Sequence, residues 1–276
     1  MGALHGGPSS RRSIPDDPEE FRLTLVEHLE ELRDRIVRIL VFVTVGWVVG
    51  WFAEPYLYTY LNKMVEQAVV PVLGPGHEWQ EVFHNTTEPF MLKLKLSFYI
   101  GLILSLPLVL NELWGFVAPG LHKNERRPFT RLIPAMFFLF IIGVVFSWLV
   151  MPQALAWFAG YVNEFPGVNV NQEAGTMVFF VLKMLIAFGV AFQLPLVVYG
   201  LGALDLLSAE TLMSYWRQAA TVIFLLAAVI TPSNDPISML MMAIPLVVLF
   251  MISVYLVKLT QKKRKKLKAA VSEALE

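Results

Sequence analysis

Residues 132–163 read LIPAMFFLFIIGVVFSWLVMPQALAWFAGYVN, a run of 32 positions without a charged side chain. About 20 apolar residues in an α-helix are enough to cross the hydrocarbon core of a bilayer. The run is rich in Leu, Val, Ile, Phe and Met and lacks the alternation typical of a strand. It therefore predicts a membrane-spanning helix. Because the run is too long for one span, we expect Pro152 to end the helix near residue 150 and leave an interfacial segment around Phe158.

Five further uncharged runs repeat this pattern along the chain. They cover residues 39–53, 96–111, 184–204, 218–234 and 236–257. Backbone amides in hydrocarbon must find partners within their own segment, so these runs predict helices rather than a β-barrel. The run at 218–234 has only 17 residues and needs a thinned bilayer or shielding by neighbouring helices. The sequence thus predicts an all-α integral membrane protein with six transmembrane helices.

Prolines within the apolar runs predict that the bundle is not straight. They stand at positions 107, 134, 195 and 245. Each removes a backbone donor and can kink its helix, which favours a curved, concave bundle. The connecting segments 54–88 and 152–176 carry enough apolar and aromatic residues to pack over the outer face as a cap.

The composition supports a membrane protein and excludes several kinds of chemistry. Hydrophobic residues make up 56% of the 276 positions and charged residues 16%, with a mean hydropathy of +0.59. That is more apolar than a soluble domain. The absence of cysteine excludes disulfides, thiolate metal sites and thiol redox chemistry. Neither HExxH, GxSxG nor GxxxxGK[ST] occurs, so we expect no enzyme, cofactor or metal, and no nucleic-acid partner.

The basic residues predict the orientation of the chain. Of the 22 lysines and arginines, 18 fall on one side of the predicted spans, which the positive-inside rule assigns to the cytoplasm. Both termini are therefore expected to be cytoplasmic. We interpret 1–276 as a single membrane domain: residues 1–22 a mobile tail, 23–257 an amphipathic helix and six spans, and 258–276 a basic tail. This basic tail is expected to lie against anionic headgroups.

Two charged motifs stand on the predicted cytoplasmic side. In the first, Leu25, Leu29, Leu32 and Ile36 form one helical stripe opposite a charged face, typical of an amphipathic surface helix. On that face the spacing of Glu31 and Arg35 predicts an intrahelical ion pair. The second motif, at residues 111–127, follows the second span and ends its helix at Pro119-Gly120.

Ionisable and polar residues also occur in or near the predicted spans. Within the second motif, Glu125 is an acid among bases, and such an acid serves either solvation or a cationic ligand. The strongest intramembrane candidates are Glu112, Lys183 and Gln193. For Lys183, near the outer end of its span, the simplest interpretation is that the side chain snorkels outward.

Several segments together resemble one family. HLEELRDRI, WGFVAPGLHKNERR, GVVFSWLVMP, AFGVAFQLP and ITPSNDPISM followed by AIP are similar to motifs of the TatC family, in the same order, between residues 25 and 256. The resemblance implies a cup-shaped six-span bundle in a bacterial-type inner membrane. It also implies a receptor for twin-arginine signal peptides and core subunit of a translocase that moves folded proteins with the proton-motive force. The implied partners are single-span TatA-type and TatB-type subunits and other copies of the chain.

The resemblance also implies roles for individual residues. Glu31 and Glu125 match the family's signal-binding acids, and their carboxylates suit the planar donor forks of two arginines. The positions around these acids that also match the family are His28, Leu29, Arg33, Phe116 and Pro119. At the other ends of the spans, the matching positions are Glu88, Phe90 and Asp235. At Gln193 the family often has glutamate, so we expect a polar docking point there without a role that requires protonation.

Other functional classes remain open from the sequence. A secondary transporter or channel for a small solute would concentrate ionisable residues near the midplane, where this chain has few candidates and no internal repeat. An intramembrane hydrolase would need a paired nucleophile and base, and the spans contain none.

Overall fold

The computed structural model describes residues 18–74, 79–117, 132–165, 170–203, 206–231 and 235–273. Within these ranges the chain forms eight α-helices and two short strands. The helices are α1 (Pro18–Val69), α2 (Glu88–Val117), α3 (Leu132–Gly160), α4 (Thr176–Ala191), α5 (Leu194–Ala203), α6 (Ala209–Ser214), α7 (Trp216–Ile230) and α8 (Pro236–Glu273). The strands are β1 (Trp79–Val82) and β2 (Val170–Glu173).

Five segments of the described chain are long and apolar enough to cross a membrane. Four of them lie in α1, α2, α3 and α8, and the fifth combines α4 with α5. The remaining apolar helix, α7, has 15 residues and is about 22 Å long, shorter than the roughly 30 Å hydrocarbon core. A mostly helical membrane fold is confirmed, while the sixth span stays a prediction.

The prolines affect their helices differently. The expectation that Pro152 ends its helix is wrong, because α3 continues to Gly160. Met151, Ala154 and Leu155 are almost completely buried, so packing on both sides of Pro152 holds the helix despite one lost hydrogen bond. In contrast, the helix before Pro195 does break: α4 ends at Ala191 and α5 begins at Leu194.

Helix α1 is longer than any segment the sequence pattern indicates. Its 52 residues join the predicted amphipathic helix and the first span without interruption. The helix already begins at Pro18, inside the segment interpreted as a tail. Helix α8 likewise extends the last span to Glu273, so the predicted basic tail is helical over its first part. The predicted boundaries of the two tails, after residue 22 and before residue 258, therefore both fall inside helices.

The two longer connections meet on one face of the bundle, as the sequence indicated. Strands β1 and β2 pair in parallel with Trp79 opposite Val170 and Val82 opposite Glu173. The side-chain amide of Asn163 donates to the carbonyl of Val72 at 2.9 Å and accepts from the amide of Gly74 at 2.6 Å. We call this region the outer cap. The face at the other ends of the helices, which carries Arg35 and Lys262, is called the basic face.

Small residues bring α1 and α2 into direct backbone contact. Gly46 and Gly50 are spaced i, i+4 on α1 and face Ser97 and Gly101, spaced the same way on α2. A Cβ atom built on Gly46 would lie 2.6 Å from the carbonyl oxygen of Gly101, and one on Gly50 would collide with the carbonyl oxygen of Ser97. Small residues at this spacing allow membrane helices to approach closely. The contact sets how the ends of α1 and α2 meet on the basic face.

Candidate functional site

The N-terminal part of α1, which precedes its apolar run, brings several polar side chains against the last turns of α2. Positions 28, 31, 35 and 38 follow the helical period and share one face of α1. Positions 112 and 116 share a face of α2 and approach that row from the other side. The resulting group of side chains, called the basic-face cluster, consists of His28, Glu31, Arg35, Arg38, Glu112 and Phe116.

Arg35 is the centre of this cluster. Its Nη2 donates to Oε1 of Glu31 at 2.7 Å and its Nε donates to the same oxygen at 3.1 Å. This is the ion pair that the i, i+4 spacing predicts. The Arg35 side chain is 16% exposed and the Glu31 side chain 30% exposed, so water still reaches the carboxylate. Within the described residues, Oε2 of Glu31 accepts no hydrogen bond.

The same guanidinium also reaches the second helix. Its Nη1 donates to Oε2 of Glu112 at 3.1 Å and to the Glu112 carbonyl at 3.3 Å. Arg38 approaches the same carboxylate at 3.6 Å. Gly115 lies one turn away, and a Cβ atom there would collide with Nη1 of Arg35. Glycine at 115 therefore leaves the space that the guanidinium occupies.

An aromatic pair stands beside the charged residues. The rings of His28 and Phe116 stack with centroids 4.6 Å apart and planes 19° apart. His28 is exposed and Phe116 half-buried. Because His28 precedes Glu31 by three residues, the stacked pair lies about one helical turn from the Glu31 carboxylate. A charged ligand at Glu31 would be partly shielded from water by this pair.

Not every residue of the two motifs joins the cluster. Leu29 is 62% exposed. Arg33 is also exposed and pairs with its neighbour Asp34 at 2.9 Å. Glu125 and Pro119 lie outside the described residues, so the predicted pairing of Glu31 with Glu125 is not tested by the structure.

The other predicted site residues, Glu88, Phe90 and Asp235, lie at the starts of helices α2 and α8. Both oxygens of Glu88 are used at the start of α2, accepting from the amide of His84 at 2.6 Å and from Nδ2 of Asn85 at 2.7 Å. Phe90 is 55% exposed. Asp235 caps α8, because its Oδ1 accepts from the amide of Ser238 at 2.8 Å. These contacts stabilise helix starts, and none joins the basic-face cluster.

Gln193 occupies the turn between α4 and α5 and is buried, with 5% exposure. Its Nε2 donates to the carbonyl of Met136 at 3.2 Å and to that of Gly189 at 3.4 Å. Its Oε1 is also buried and has no hydrogen-bond partner among the described residues. A buried carbonyl oxygen without a donor is costly, so within the described residues this atom is an unsatisfied acceptor.

Comparison with known proteins places the chain in a family. The family model described as Sec-independent protein translocase protein (TatC) matches residues 27–245. The chain belongs to the TatC family. Among curated relatives, the TatC protein of Carboxydothermus hydrogenoformans is 36% identical over 249 residues, which cover 89% of this chain and 97% of the relative. The chloroplastic TATC protein of Pisum sativum is 34% identical, over 91% of this chain and 67% of the relative.

A solved TatC structure has the same fold. The crystal structure described as the twin arginine translocase receptor TatC matches with a TM-score of 0.70 and 29% identity, over 85% of this chain and 99% of that chain. This match and the helices described above confirm an all-α membrane fold of the TatC type. The curated relatives are components of a protein translocase.

The structure adds Glu112 to the residues that the TatC motifs suggested, and it gives Arg35 a second contact. The sequence indicated Glu112 only as an ionisable residue at the end of an apolar run, and Arg35 only as the partner of Glu31. A signal was present, since Glu112 precedes Phe116 by four residues and therefore shares its helix face. In the described part of the chain, no group of three His, Asp or Glu side chains is arranged to hold a metal ion.

Proposed function

We propose that this chain is the signal-peptide receptor and core subunit of a translocase that exports folded proteins bearing twin-arginine signals, driven by the proton-motive force. Membership of the TatC family supports this proposal, as does the name of the matched crystal structure, a twin arginine translocase receptor. The positions of 18 among the 22 basic residues support an orientation with both termini in the cytoplasm of a bacterial-type cell. The basic-face cluster then faces the compartment in which precursors are made.

The observation that carries the proposal is the state of the Glu31 carboxylate. One oxygen is held by two hydrogen bonds from Arg35, while the other accepts none within the described residues. Arg35 is itself held by Glu112, so the carboxylate is fixed before any ligand arrives. An arginine of a signal peptide would place its donor fork on the open oxygen in a charge-assisted hydrogen bond. Arg35 thus orients the acid without occupying the position of the ligand.

The twin-arginine motif requires a second acceptor, and we propose Glu125 for this role. Glu31 would take one guanidinium and Glu125 the other, with Pro119 and Phe116 beside them. The stacked rings of His28 and Phe116 would exclude water from one side of the first guanidinium. Leu29 and Arg33, which are exposed, would contact the residues that flank the motif. Glu88, Phe90 and Asp235 remain candidates for a role on the outer side.

The test is binding of a purified twin-arginine signal peptide to the full chain in detergent. We expect Glu31→Ala and Glu125→Ala each to weaken binding on the order of tenfold or more, because each removes an acceptor of a charge-assisted bond. Glu30→Ala is the matched control, since it removes the same charge from an exposed position one residue away. A peptide with two lysines in place of the arginines should bind wild type more weakly, because ammonium groups lack the planar fork.

Three results would count against the proposal. Unchanged binding in both Glu31→Ala and Glu125→Ala would remove the assignment of the acids. Uptake of a small solute by the purified chain alone in liposomes would instead favour a transporter. A loss of binding equal to that of Glu30→Ala would indicate only a general effect of charge.

We further propose Gln193 as a docking point for a single-span TatA-type or TatB-type subunit. The supporting observation is the buried Oε1 atom without a donor among the described residues. A hydroxyl or amide on a partner helix would supply that donor once the packing around the α4–α5 turn opens on docking. Association of several copies of the chain is proposed on the family relationship alone.

A further inference from the structure

A groove of approximately 710 Å³ lies between α3, α5 and α8 and is separate from the basic-face cluster. Its walls are almost entirely apolar and include Ile142, Ile252, Leu256 and Leu259, which are 38% to 47% exposed. At one end the lining changes to Tyr199, Thr260, Lys262 and Lys263. The groove is therefore amphipathic along its length, with its polar end on the basic face.

The length of the groove corresponds to one leaflet of a bilayer. Along α8 the lining extends from Leu249 to Lys263, which at 1.5 Å per residue is about 21 Å. Half of a bilayer with its headgroups measures about 20–22 Å. A transmembrane partner helix would instead follow the full hydrocarbon thickness of about 30 Å. The groove ends at Leu249, near the middle of the membrane-spanning part of α8, where a lipid chain from one leaflet would also end.

The charges at the polar end are suited to an anionic headgroup. Lys262 and Lys263 are exposed, and neither forms a salt bridge with an acid in the described chain. The hydroxyl groups of Tyr199 and Thr260 lie 3.4 Å apart beside them. Basic pockets between membrane helices on the cytoplasmic side are suited to phosphate headgroups. A zwitterionic headgroup carries a phosphate whose charge is compensated by its own ammonium group, so it would leave the two lysines with a net positive charge, and an apolar partner helix would supply no anion at all.

We propose that this groove is a binding site for an anionic phospholipid of the leaflet on the basic face. Lys262 and Lys263 bind the headgroup phosphate, the two hydroxyls bind its polar oxygens, and an acyl chain lies along Leu256, Ile252 and Ile142. The assignment to the cytoplasmic leaflet rests on the orientation given under the proposed function. The lipid would fill the space between α3 and α8 and tie α8 to α5.

The test is native mass spectrometry of the delipidated full chain with dioleoyl phosphatidylglycerol or dioleoyl phosphatidylcholine. Wild type should retain phosphatidylglycerol preferentially. Lys262→Gln with Lys263→Gln should weaken that binding roughly tenfold to thirtyfold and weaken phosphatidylcholine binding much less, because the phosphate of phosphatidylcholine is already compensated by its own ammonium group. The control, Arg217→Gln with Lys258→Gln, removes two charges from exposed positions outside this groove and should have little effect. Ala135→Phe narrows the groove and should weaken binding of both lipids.

Several outcomes would overturn the proposal. These are equal binding of the two lipids by wild type, full retention of phosphatidylglycerol by the double lysine variant, or its displacement by excess inorganic phosphate. Photocrosslinking from Leu256 in membranes to a single-span protein rather than to lipid would assign the groove to a partner helix. The lysine variant alters no packed side chain, so the test stands even if Ala135→Phe fails to fold. No precursor is present, so a failed signal-binding test leaves this result unaffected.

Discussion

Arg35 and Glu112 form an ion pair across the α1–α2 junction although 77 residues separate them in the chain. Both side chains are largely withdrawn from water, with 16% and 9% exposure. Because the same guanidinium binds Glu31, the position of the proposed ligand-binding acid on α1 depends on a carboxylate of α2. The junction therefore links the packing of two membrane helices to the geometry of the proposed binding site.

Replacing Glu112 by glutamine tests this link. The neutral amide keeps the size of the side chain but leaves Arg35 with one carboxylate instead of two. We expect Glu112→Gln to lower the free energy of unfolding by about 1–2 kcal/mol, because one bond between charged groups is lost while Arg35 keeps the Glu31 carboxylate as a partner. The measurement is reversible unfolding in mixed micelles, together with signal-peptide affinity, which should also fall. If the exposed control Glu30→Gln produced equal losses, the structural role of Glu112 would be refuted.

Replacing Arg35 by lysine separates charge from shape. A lysine keeps the positive charge but has one ammonium group, which cannot reach Glu31 and Glu112 with the separate arms of a planar fork. We expect Arg35→Lys to weaken binding of a twin-arginine peptide severalfold. Arg217→Lys is the control, because Arg217 is exposed and lies outside the basic-face cluster. The measurement is isothermal titration of both variants with the twin-arginine peptide. Wild-type affinity in Arg35→Lys would show that the charge alone is sufficient.

The local part of this site could be predicted from the sequence, and the part between helices could not. The pair of Glu31 and Arg35 follows from a spacing of four residues on one helix, and it is confirmed. The contact with Glu112 depends on which face of α2 meets α1, and a single sequence does not specify that choice. Gly46 and Gly50 held a clue, since small residues at this spacing often mark a helix contact, yet they do not identify the partner.

The apolar runs predicted the membrane helices better than their ends. A run ends at the first charged residue, whereas a helix continues as long as its backbone hydrogen bonds are favourable. For this reason α1 and α8 extend well beyond the apolar segments into charged sequence. The prediction that Pro152 ends its helix was wrong because the effect of a proline depends on the packing around it. Strands β1 and β2 pair residues about 90 positions apart, which no local pattern indicates.

The close approach of α1 and α2 makes Gly50 intolerant of a side chain. A Cβ atom there would collide with the carbonyl oxygen of Ser97, so Gly50→Leu must push the helices apart. We expect a loss of at least about 2–3 kcal/mol in the free energy of unfolding, in the range of overpacked cores. Val49→Leu is the control, since Val49 is 49% exposed. Unfolding in mixed micelles gives both values, and similar stabilities for the two variants would contradict the observed packing.

In the outer cap, Tyr58 connects α1 to the strand pair. Its hydroxyl donates to Oε2 of Glu81 at 3.0 Å, and the other oxygen of Glu81 faces the amide of Gly175. Tyr58→Phe removes one bond to a charged acceptor, so amides of β1 should exchange with deuterium on the order of tenfold faster. The control Tyr56→Phe changes a hydroxyl that is exposed, with Tyr56 81% accessible. Equal exchange in the two variants would mean that the cap does not depend on this bond.

Replacing Gln193 by leucine should weaken association with a partner subunit while changing the stability of the chain only slightly. In Gln193→Leu a side chain of similar size fills the same space. The carbonyls of Met136 and Gly189 lose the donor from Gln193, but both residues lie within helices, where the backbone supplies hydrogen bonds. We expect the free energy of unfolding to change by less than about 1.5 kcal/mol. Copurification with a single-span TatA-type or TatB-type subunit should fall severalfold, because Oε1 can no longer accept a hydrogen bond from the partner. The control Gln218→Leu removes an exposed amide in α7 and should leave copurification unchanged. If Gln193→Leu retained the subunit at the wild-type level, the docking point would have to be sought on another surface of the bundle.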